Sequence, residues 1–230
     1  MQADEVSRMF SIISRRYDFL NHLMSFGLDA YWRKRLVSLI KPKPGDLILD
    51  VASGTGDVAI ELARQFKNTK ITGVDFSNPM LQIAKKKVAI LGKSENIKFQ
   101  FGDALNLPFK DNKFEAATMA FGIRNVENCQ KGIKEMKRVV KKGGLVLILE
   151  FSRPNNFITP FYWLYLKLVI PTLGGIFSKK QAYLYLSSSI WQFINTVNIA
   201  DDLKELGFIH VKKIPLTLGV VSIYIGEKAL

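Results

Sequence analysis

The stretch LILDVASGTGDVAIELA, residues 47–63, contains the strongest structural signal of the sequence. It begins as an unbroken apolar run, passes through Gly54 and Gly56, and continues as a mixture of apolar and polar residues with helical spacing. A buried strand that ends in a glycine turn and leads into a helix is typical of nucleotide sites in α/β proteins. The stretch therefore predicts a strand, a tight loop and a helix, with a ligand at the loop.

Strands and helices alternate along the rest of the sequence. The pattern predicts seven strands, at residues 47–53, 70–76, 97–104, 114–121, 145–151, 208–214 and 220–226. It predicts helices at residues 4–24, 29–40, 57–66, 78–91, 129–141, 180–195 and 199–206. Strands that alternate with helices at this spacing form a parallel sheet that is covered on both faces. We therefore expect an α/β fold with a doubly wound, mostly parallel, seven-stranded sheet, and ligands at the carboxyl ends of its strands.

The composition indicates one domain. A chain of 230 residues, 48% of them hydrophobic, suits a single core over residues 1–230. Within it we expect an N-terminal helical cap at 1–43 and a helical lid at 154–197. The single cysteine, Cys129, excludes an internal disulfide, and two histidines are too few for a zinc cluster, so we expect no metal. Residues 1–10 lack a signal-peptide pattern, which predicts a reducing, cytoplasmic setting.

The net charge of +13 is unevenly distributed. Residues 131–180 hold ten Lys and Arg against two Glu. A field of that sign attracts nucleic acid or an anionic membrane surface. A solvated helix face accounts for the pattern equally well. The charge alone leaves all three interpretations open.

The residues around the glycines narrow the choice of nucleotide. A phosphate-binding P-loop needs Lys and then Ser or Thr after its last glycine, and residues 57–60 are Asp-Val-Ala-Ile, so that motif is excluded. A dinucleotide site stays open, because residues 54–59 fit the looser G-x-G-x-x-A pattern. Asp50 and Asp57 argue against a pyrophosphate, since two carboxylates at a helix N-terminus repel phosphate and attract positive charge. S-adenosylmethionine (SAM) fits, because it has a sulfonium and an ammonium group but no phosphate.

Four features at the predicted strand ends together indicate a SAM-dependent methyltransferase. The loop LDVASGTGD, with Asp50, Gly54 and Gly56, lets the backbone approach the methionine part of the cofactor. Asp75 ends the second strand, where its carboxylate can accept both ribose hydroxyls. Asp103 and Ala104 follow the third strand, where a carboxylate can accept the adenine amine beside a small residue. The run RVVKKGGLVLI is typical of the helix, glycine turn and buried strand late in such domains.

The sequence gives less direct evidence for the methyl acceptor than for the cofactor. Enzymes that methylate exocyclic base nitrogens need an Asp/Asn-Pro-Pro-aromatic turn after the fourth strand, and this chain has AFGIRNVEN there. Carbon-5 pyrimidine enzymes need a nucleophilic cysteine, and Cys129 is better interpreted as a small buried side chain. We therefore expect no nucleic-acid substrate. A nucleic-acid or other small-molecule methyltransferase, and a binding module without catalysis, stay as alternatives.

Several stretches resemble the quinone-biosynthesis C-methyltransferase family, in register over residues 7–230. The resemblance rests on RRYDFLNHLMSFGLDAYWRKRLV, LDVASGTGD, GDALNLPFKDNKFEAATMAFGIRNV, EMKRVVKKGGLVLILEFSRP and YLYLSSSI. It implies a Rossmann-like methyltransferase fold and a prenylated quinol as acceptor, from the menaquinone or ubiquinone pathway, and the short chain favours menaquinone. The implied cofactor contacts are Thr55, Asp75, Asp103 and Ala104, with Ala120 at a position where the family often has Ser.

The implied chemistry assigns roles to further residues. Methylation of a ring carbon needs an electron-rich quinol, with one hydroxyl losing its proton as the carbon attacks the methyl group. Arg124 stays charged and is a poor base, so we expect it to stabilise the developing phenolate while Asn125 orients it. An ion pair at a loop is the alternative interpretation of Arg124. The candidate proton acceptors, in falling order of preference, are Asp103, Tyr17 and His22.

The apolar segment 157–177 is long enough to raise the question of a membrane span. Its prolines, its glycine pair, Lys167 and its position between two strands of one sheet argue against a crossing. We expect an amphipathic lid that contacts an anionic membrane peripherally, on the inner face of the cell membrane. An internal cap helix is the competing interpretation. A homodimer is left open.

Overall fold

The computed structural model describes residues 18–92, 95–177 and 180–230. Its seven strands are β1 Leu47–Val51, β2 Lys70–Asp75, β3 Ile97–Phe101, β4 Phe114–Ala120, β5 Val140–Phe151, β6 Phe208–Leu216 and β7 Val221–Lys228. They form one sheet in the order β3-β2-β1-β4-β5-β7-β6. Strands β1 to β5 pair in parallel, whereas β7 runs antiparallel to β5 and β6 runs antiparallel to β7. The predicted α/β fold with a mostly parallel, seven-stranded sheet is confirmed.

Helices cover both faces of this sheet. They are α1 (residues 18–24), α2 Leu28–Val37, α3 Asp57–Gln65, α4 Asn78–Ile90, α5 Cys129–Val139, α6 Thr159–Leu164, α7 Ile170–Phe177, α8 Lys180–Thr196 and α9 Ile199–Glu205. Only residues 18–24 of the predicted helix 4–24 lie in the described ranges. A π-helical turn, Tyr165–Val169, joins α6 to α7. No helix in the described part of the chain is long and apolar enough to cross a membrane.

The unbroken apolar character of β1 follows from burial on both faces of the sheet. Ile48 and Leu49 are adjacent in sequence and both fully buried, but they belong to hydrophobic clusters on opposite sides. Such double burial is typical of parallel sheets. A third cluster joins α1 to α6, α7 and α8 through Leu20, Tyr162 and Ile190. Helices α6, α7 and α8 therefore share a hydrophobic cluster with α1.

Strand β5 begins five residues earlier than the sequence pattern predicts. Val140 already pairs with Phe114, and the register then shifts. The shift lies at the glycine pair, where Gly143 has φ +74° and a Cβ on Gly144 would lie 2.6 Å from the Glu115 carbonyl oxygen. The glycines therefore form an irregularity inside the ladder, which permits a close approach of two strands, and the prediction that they separate helix from strand is wrong.

The connection order creates a crevice at the centre of the sheet. From β1 the chain proceeds outward through β2 and β3, and it then returns to place β4 on the other side of β1. At such a switch point the loops after adjacent strands diverge, which leaves a ligand-sized opening at their carboxyl ends. All the described candidate residues of the sequence analysis lie in or near the loops on this edge, except those on α1.

Candidate active site

Two cavities meet at the carboxyl ends of the strands. The strand-tip cavity has a volume of about 310 Å³, and its lining includes Gly54, Asp75, Ser77, Asp103, Ala104, Ala120 and Asn125. The apolar cavity has a volume of about 240 Å³, and its lining includes Trp32, Phe121, Arg124, Phe151, Tyr162 and Tyr165. Phe121 lines both cavities. Two ligands can therefore bind side by side, one in each cavity.

Asp75 is the acidic centre of the strand-tip cavity. Its Oδ2 accepts the Gly54 N–H at 2.8 Å, and its Oδ1 accepts the Ser77 N–H at 2.8 Å. Burial raises the pKa of Asp75, and these backbone hydrogen bonds oppose that rise. A carboxylate has about four acceptor positions, which is more than these backbone N–H groups and that of Phe76 use. The Ser77 Oγ is buried without a hydrogen-bond partner among the described residues. The cavity thus offers polar atoms whose bonding capacity is unused, which suits a hydroxyl-bearing ligand.

Asp103 and Ala104 lie where the sequence predicts them, in the loop after β3. Both line the strand-tip cavity. The Asp103 Oδ1 accepts the Leu105 N–H at 2.9 Å, which fixes the carboxylate while leaving the residue exposed. Ala120, at the end of β4, lines the same cavity and has no hydrogen-bonding side chain. The loops after four strands, β1 to β4, therefore contribute to one site.

Asp50 lies beneath the glycine loop and not among the residues that line the strand-tip cavity. Its Oδ2 accepts the Ser53 hydroxyl at 2.6 Å, and its Oδ1 accepts the Thr118 hydroxyl at 2.9 Å. Complete burial raises the pKa of Asp50 to about 7. The Ser53 hydroxyl therefore donates its proton to this carboxylate. Asp50 holds the loop in shape from below.

Thr55 and Gly56 also lie outside the lining of the strand-tip cavity. The Thr55 hydroxyl donates to the Asp18 Oδ1 at 2.6 Å, toward helix α1. Gly56 has φ +85°, and a Cβ there would lie 2.8 Å from the Phe99 ring. Glycine at this position allows the loop to turn tightly against β3. The role of both residues in this structure is to shape the loop and join it to the N-terminal helix.

The expectation that Asp57 presents an uncompensated charge to the ligand is wrong. Its Oδ1 pairs with the Lys87 Nζ, and its Oδ2 lies 3.4 Å from the Arg33 Nη2. As the first residue of α3, it directs its side chain toward α2 and α4, away from the strand-tip cavity. The carboxylates that line this cavity are those of Asp75 and Asp103, at the ends of the next two strands along the chain.

Arg124 forms an ion pair, as its alternative interpretation in the sequence analysis predicts, and the partner, which the sequence analysis did not identify, is Glu150. It lies in a 3₁₀ turn after β4, and its Nη1 donates to the Glu150 Oε1 at 2.9 Å and to the Phe121 carbonyl at 2.6 Å. The Arg124 and Glu150 side chains are 3% and 0% exposed. Burial raises the pKa of Glu150 even beside this guanidinium. The sequence contained a signal for this ion pair, since Glu150 is the one acidic residue in the apolar run LVLILEF.

The Arg124-Asn125 dipeptide serves both cavities. The Arg124 side chain lines the apolar cavity, whereas Asn125 lines the strand-tip cavity. The Asn125 Oδ1 accepts the Tyr185 hydroxyl at 3.4 Å, from helix α8. The contact of Asn125 is therefore with the helical segment after β5 and not with the guanidinium.

Three further candidates are accounted for as follows. Tyr17 lies outside the described residues. The side chain of His22 is 62% exposed, and its Nδ1 lies 2.9 Å from the Asp29 Oδ1, outside the lining of either cavity. Burial raises the pKa of the Cys129 thiol to about 11. Because the thiolate is the nucleophile, Cys129 is unsuited to nucleophilic attack at neutral pH.

The fold recurs in solved structures of low sequence identity. The fold matches a SAM-dependent methyltransferase of Thermotoga maritima with a TM-score of 0.64 and 20% identity, over 96% of this chain and 99% of that one. It matches the [4+2]-cyclase SpnF with a TM-score of 0.69 and 15% identity, over 100% and 98% of the two chains. The fold is that of the SAM-dependent methyltransferases. A cyclase, SpnF, shares this fold.

Sequence comparison gives the narrower assignment. Residues 1–228 match the ubiE/COQ5 methyltransferase family, and the chain belongs to that family. It is 43% identical to the ubiquinone/menaquinone biosynthesis C-methyltransferase UbiE of Geotalea daltonii, over 99% of this chain and 97% of the relative. It is 43% identical to the demethylmenaquinone methyltransferase of Thermotoga maritima, over 96% and 94%. The predicted family is confirmed.

Proposed function

We propose that this protein transfers a methyl group from SAM to a ring carbon of a prenylated quinol and converts demethylmenaquinol to menaquinol. The observation that carries the proposal is the pair of adjoining cavities, one centred on Asp75 and one apolar, whose lining includes the nearly inaccessible Arg124. The names of the relatives support it, since they describe quinone C-methyltransferases. Their shared name for both pathways makes a ubiquinone precursor the second candidate acceptor.

The residues of the strand-tip cavity fit SAM. The Asp75 carboxylate can accept both ribose hydroxyls, and the unpartnered Ser77 hydroxyl adds a further polar group. Asp103 and Ala104 are placed for the adenine amine and ring, and Gly54 leaves its backbone open to the methionine part, because no atom lies within 4 Å of the position of a Cβ. When bound, SAM supplies a sulfonium-activated methyl group. Asp50, Thr55 and Gly56 would support the loop rather than contact the cofactor.

The apolar cavity fits an aromatic acceptor with a hydrocarbon tail. Aromatic side chains of Trp32, Phe121 and Phe151 line it, and an aromatic ring packs favourably against such neighbours. Arg33 and Arg124 are the cations in its lining, and Arg33 is paired with Asp29 and Asp57. Arg124 is the cation beside which an acceptor oxygen can become negative, and a mostly apolar lining strengthens the Coulomb attraction. Asp103 lies on the cofactor side, and Tyr17 and His22 remain candidate proton acceptors by resemblance alone.

A direct assay tests the proposed function. Purified protein incubated with methyl-labelled SAM and chemically reduced demethylmenaquinone should yield labelled menaquinol, identified by its mass after oxidation. RNA and the oxidised quinone serve as controls and should stay unlabelled, because RNA lacks the acceptor ring and the oxidised ring is electron-poor. Labelled RNA, or an unlabelled quinol pool with active cofactor binding, would reject the proposed acceptor.

We further propose that the helices after β5 form a lid that contacts the membrane. Phe157, Phe161 and Trp163 are 79%, 65% and 39% exposed around α6, and Lys167 lies over the Trp163 ring at 4.5 Å. Exposed aromatic rings beside a cation are typical of interfacial helices. Phe26, which is 79% exposed, also lines the apolar cavity. A prenyl tail could therefore leave the cavity past Phe26 toward the lid surface.

The membrane contact predicts a specific loss of binding. Wild-type protein should float with vesicles that contain phosphatidylglycerol at low salt, and Phe157→Ser with Phe161→Ser should abolish most of that binding because the buried apolar area is lost. Ile90→Ser is the matched control, since Ile90 is 85% exposed at the end of α4 and should be dispensable. Wild-type protein that stays with the soluble fraction at low salt would exclude the contact.

A further inference from the structure

The Tyr162 hydroxyl is a buried polar atom without a hydrogen-bond partner among the described residues. Tyr162 lies on α6, is 7% exposed and lines the apolar cavity. The Arg124 Nε is likewise buried and unpartnered, and Arg124 lines the same cavity. An unsatisfied buried polar group costs about 1–3 kcal/mol, and native structures contain few of them. Two such atoms on residues that line one apolar cavity indicate that a ligand completes their hydrogen bonding.

Two neighbouring tyrosines differ from Tyr162 in this respect. The Tyr165 hydroxyl, in the lining of the same cavity, donates to the Met24 carbonyl oxygen. The Tyr185 hydroxyl donates to Asn125 at 3.4 Å. Both of these groups are occupied by protein partners. Tyr162, on α6, and Arg124, in the 3₁₀ turn after β4, therefore each keep an unused donor.

We propose that the Tyr162 hydroxyl and the Arg124 Nε donate to the same oxygen of the acceptor ring and form a two-donor oxyanion site. This inference rests on the proposed function, because it assumes a quinol in the apolar cavity. A tyrosine can donate only while its own proton is retained. Burial raises the pKa of Tyr162, so its hydroxyl stays protonated at the pH at which the acceptor ionises.

Two fixed donors would lower the pKa of the acceptor hydroxyl. The hydroxyl proton passes to water, and the ring carbon of the phenolate forms a bond to the methyl group as the carbon–sulfur bond of the sulfonium breaks. The ring oxygen becomes a carbonyl in this step. Loss of the proton from the methylated carbon, with return of a proton to the oxygen, restores the quinol. One proton is released in total, and the two donors act at the stage at which charge is on the oxygen.

A bound naphthol reports this interaction without any methyl transfer. 1-Naphthol is a stable analogue of the acceptor ring, and its ionisation is visible as a red shift of its absorption. We expect the pKa of naphthol bound to wild-type protein to lie below that of naphthol bound to Tyr162→Phe by about one unit, which corresponds to a tenfold change in the ionisation constant. Naphthol bound to Tyr165→Phe should keep the wild-type pKa, because the hydroxyl removed in that variant has a protein partner.

The outcomes separate this inference from the proposed function. Equal naphthol pKa values in wild type and Tyr162→Phe, or a wild-type cavity that binds no naphthol, would overturn the inference even if wild-type protein methylates demethylmenaquinol. Failure of that methylation in wild type would instead reject the proposed function. The melting temperature of Tyr162→Phe should not fall, because the deleted hydroxyl has no protein partner. The acid limb of its turnover against pH should move upward by about one unit.

Discussion

Replacing Arg124 with methionine should abolish most of the turnover and also lower the free energy of unfolding by about 3–5 kcal/mol near pH 8. Turnover should fall about 100-fold or more, because a donor aimed at a developing oxyanion is worth that much in other enzymes. The stability loss has a different cause, which is the uncompensated charge of Glu150. Urea unfolding and single-turnover rates with demethylmenaquinol measure the two effects separately.

The stability loss should depend on pH in a defined direction. In Arg124→Met the pKa of Glu150, already raised by burial, rises further because its counterion is gone. A carboxyl group whose pKa is raised on folding destabilises the folded state when it is ionised. Stability therefore falls as pH increases through the interval between the unfolded and folded pKa values. The deficit of Arg124→Met should be largest at pH 8 and should shrink toward pH 5.

The double variant Arg124→Met with Glu150→Gln separates structure from catalysis. Without the buried charge it should regain most of the lost stability, since a buried ion pair replaced on both sides is often neutral. Its turnover should stay as low as that of Arg124→Met, because the donor to the acceptor is still missing. Recovery of turnover in the double variant would show that Arg124 acts only as the counterion of Glu150.

The cofactor side of the site was largely predictable from sequence because its residues follow strands directly. Asp75 ends β2, and Asp103 follows β3 by two residues, so strand periodicity alone places both at the same edge of the sheet. Parallel strands make this inference safe, since all their carboxyl ends lie on one side. Gly54 and Ala104 are predictable for the same reason. The strand pattern could not predict the direction in which a side chain in a loop points.

Asp50, Thr55 and Asp57 illustrate that limit. All three surround the glycine loop in sequence, but their side chains point below it, toward α1 and toward α4. The partners of the last two include Asp18 and Lys87, which are 37 and 30 residues away. Spacing within the loop has no information about such distant partners. The carboxylates of Asp50 and Asp57, which the sequence analysis placed around the ligand, therefore stabilise the loop instead.

The ion pair of Arg124 with Glu150 was accessible in principle. The strands β4 and β5 pair in parallel, with Ala120 opposite Leu149. That register puts the residues just after β4 beside Glu150, near the end of β5. A buried acid at the tip of an apolar strand needs a counterion, and the adjacent loop supplies the nearest arginine. The order of the strands, combined with the acidic residue in LVLILEF, would have identified the pair of Arg124 and Glu150. The role of Tyr162 was not predictable from sequence, because its place in the cavity lining depends on the tertiary packing of α6.

Asp75→Ala should produce the largest loss of cofactor binding. Two hydrogen bonds from ribose hydroxyls to a buried carboxylate contribute about 1.5–3 kcal/mol each. Their removal should weaken the binding of S-adenosylhomocysteine by about 100-fold or more, as measured by calorimetry. The Gly54 and Ser77 N–H groups also lose their acceptor, so part of the effect could come from the loop shape. A ligand change is needed to isolate the ribose contact.

The 2′,3′-dideoxy analogue of S-adenosylhomocysteine makes that separation. Wild-type protein should bind the analogue far more weakly than the parent compound, because the carboxylate oxygens of Asp75 are left without their donors. Asp75→Ala should bind both compounds with nearly equal affinity, since neither can make the contact. Asp103→Ala is the matched control: it removes a carboxylate from the same cavity but should keep the wild-type preference for the ribose hydroxyls. Persistent discrimination by Asp75→Ala would show that another group holds the ribose.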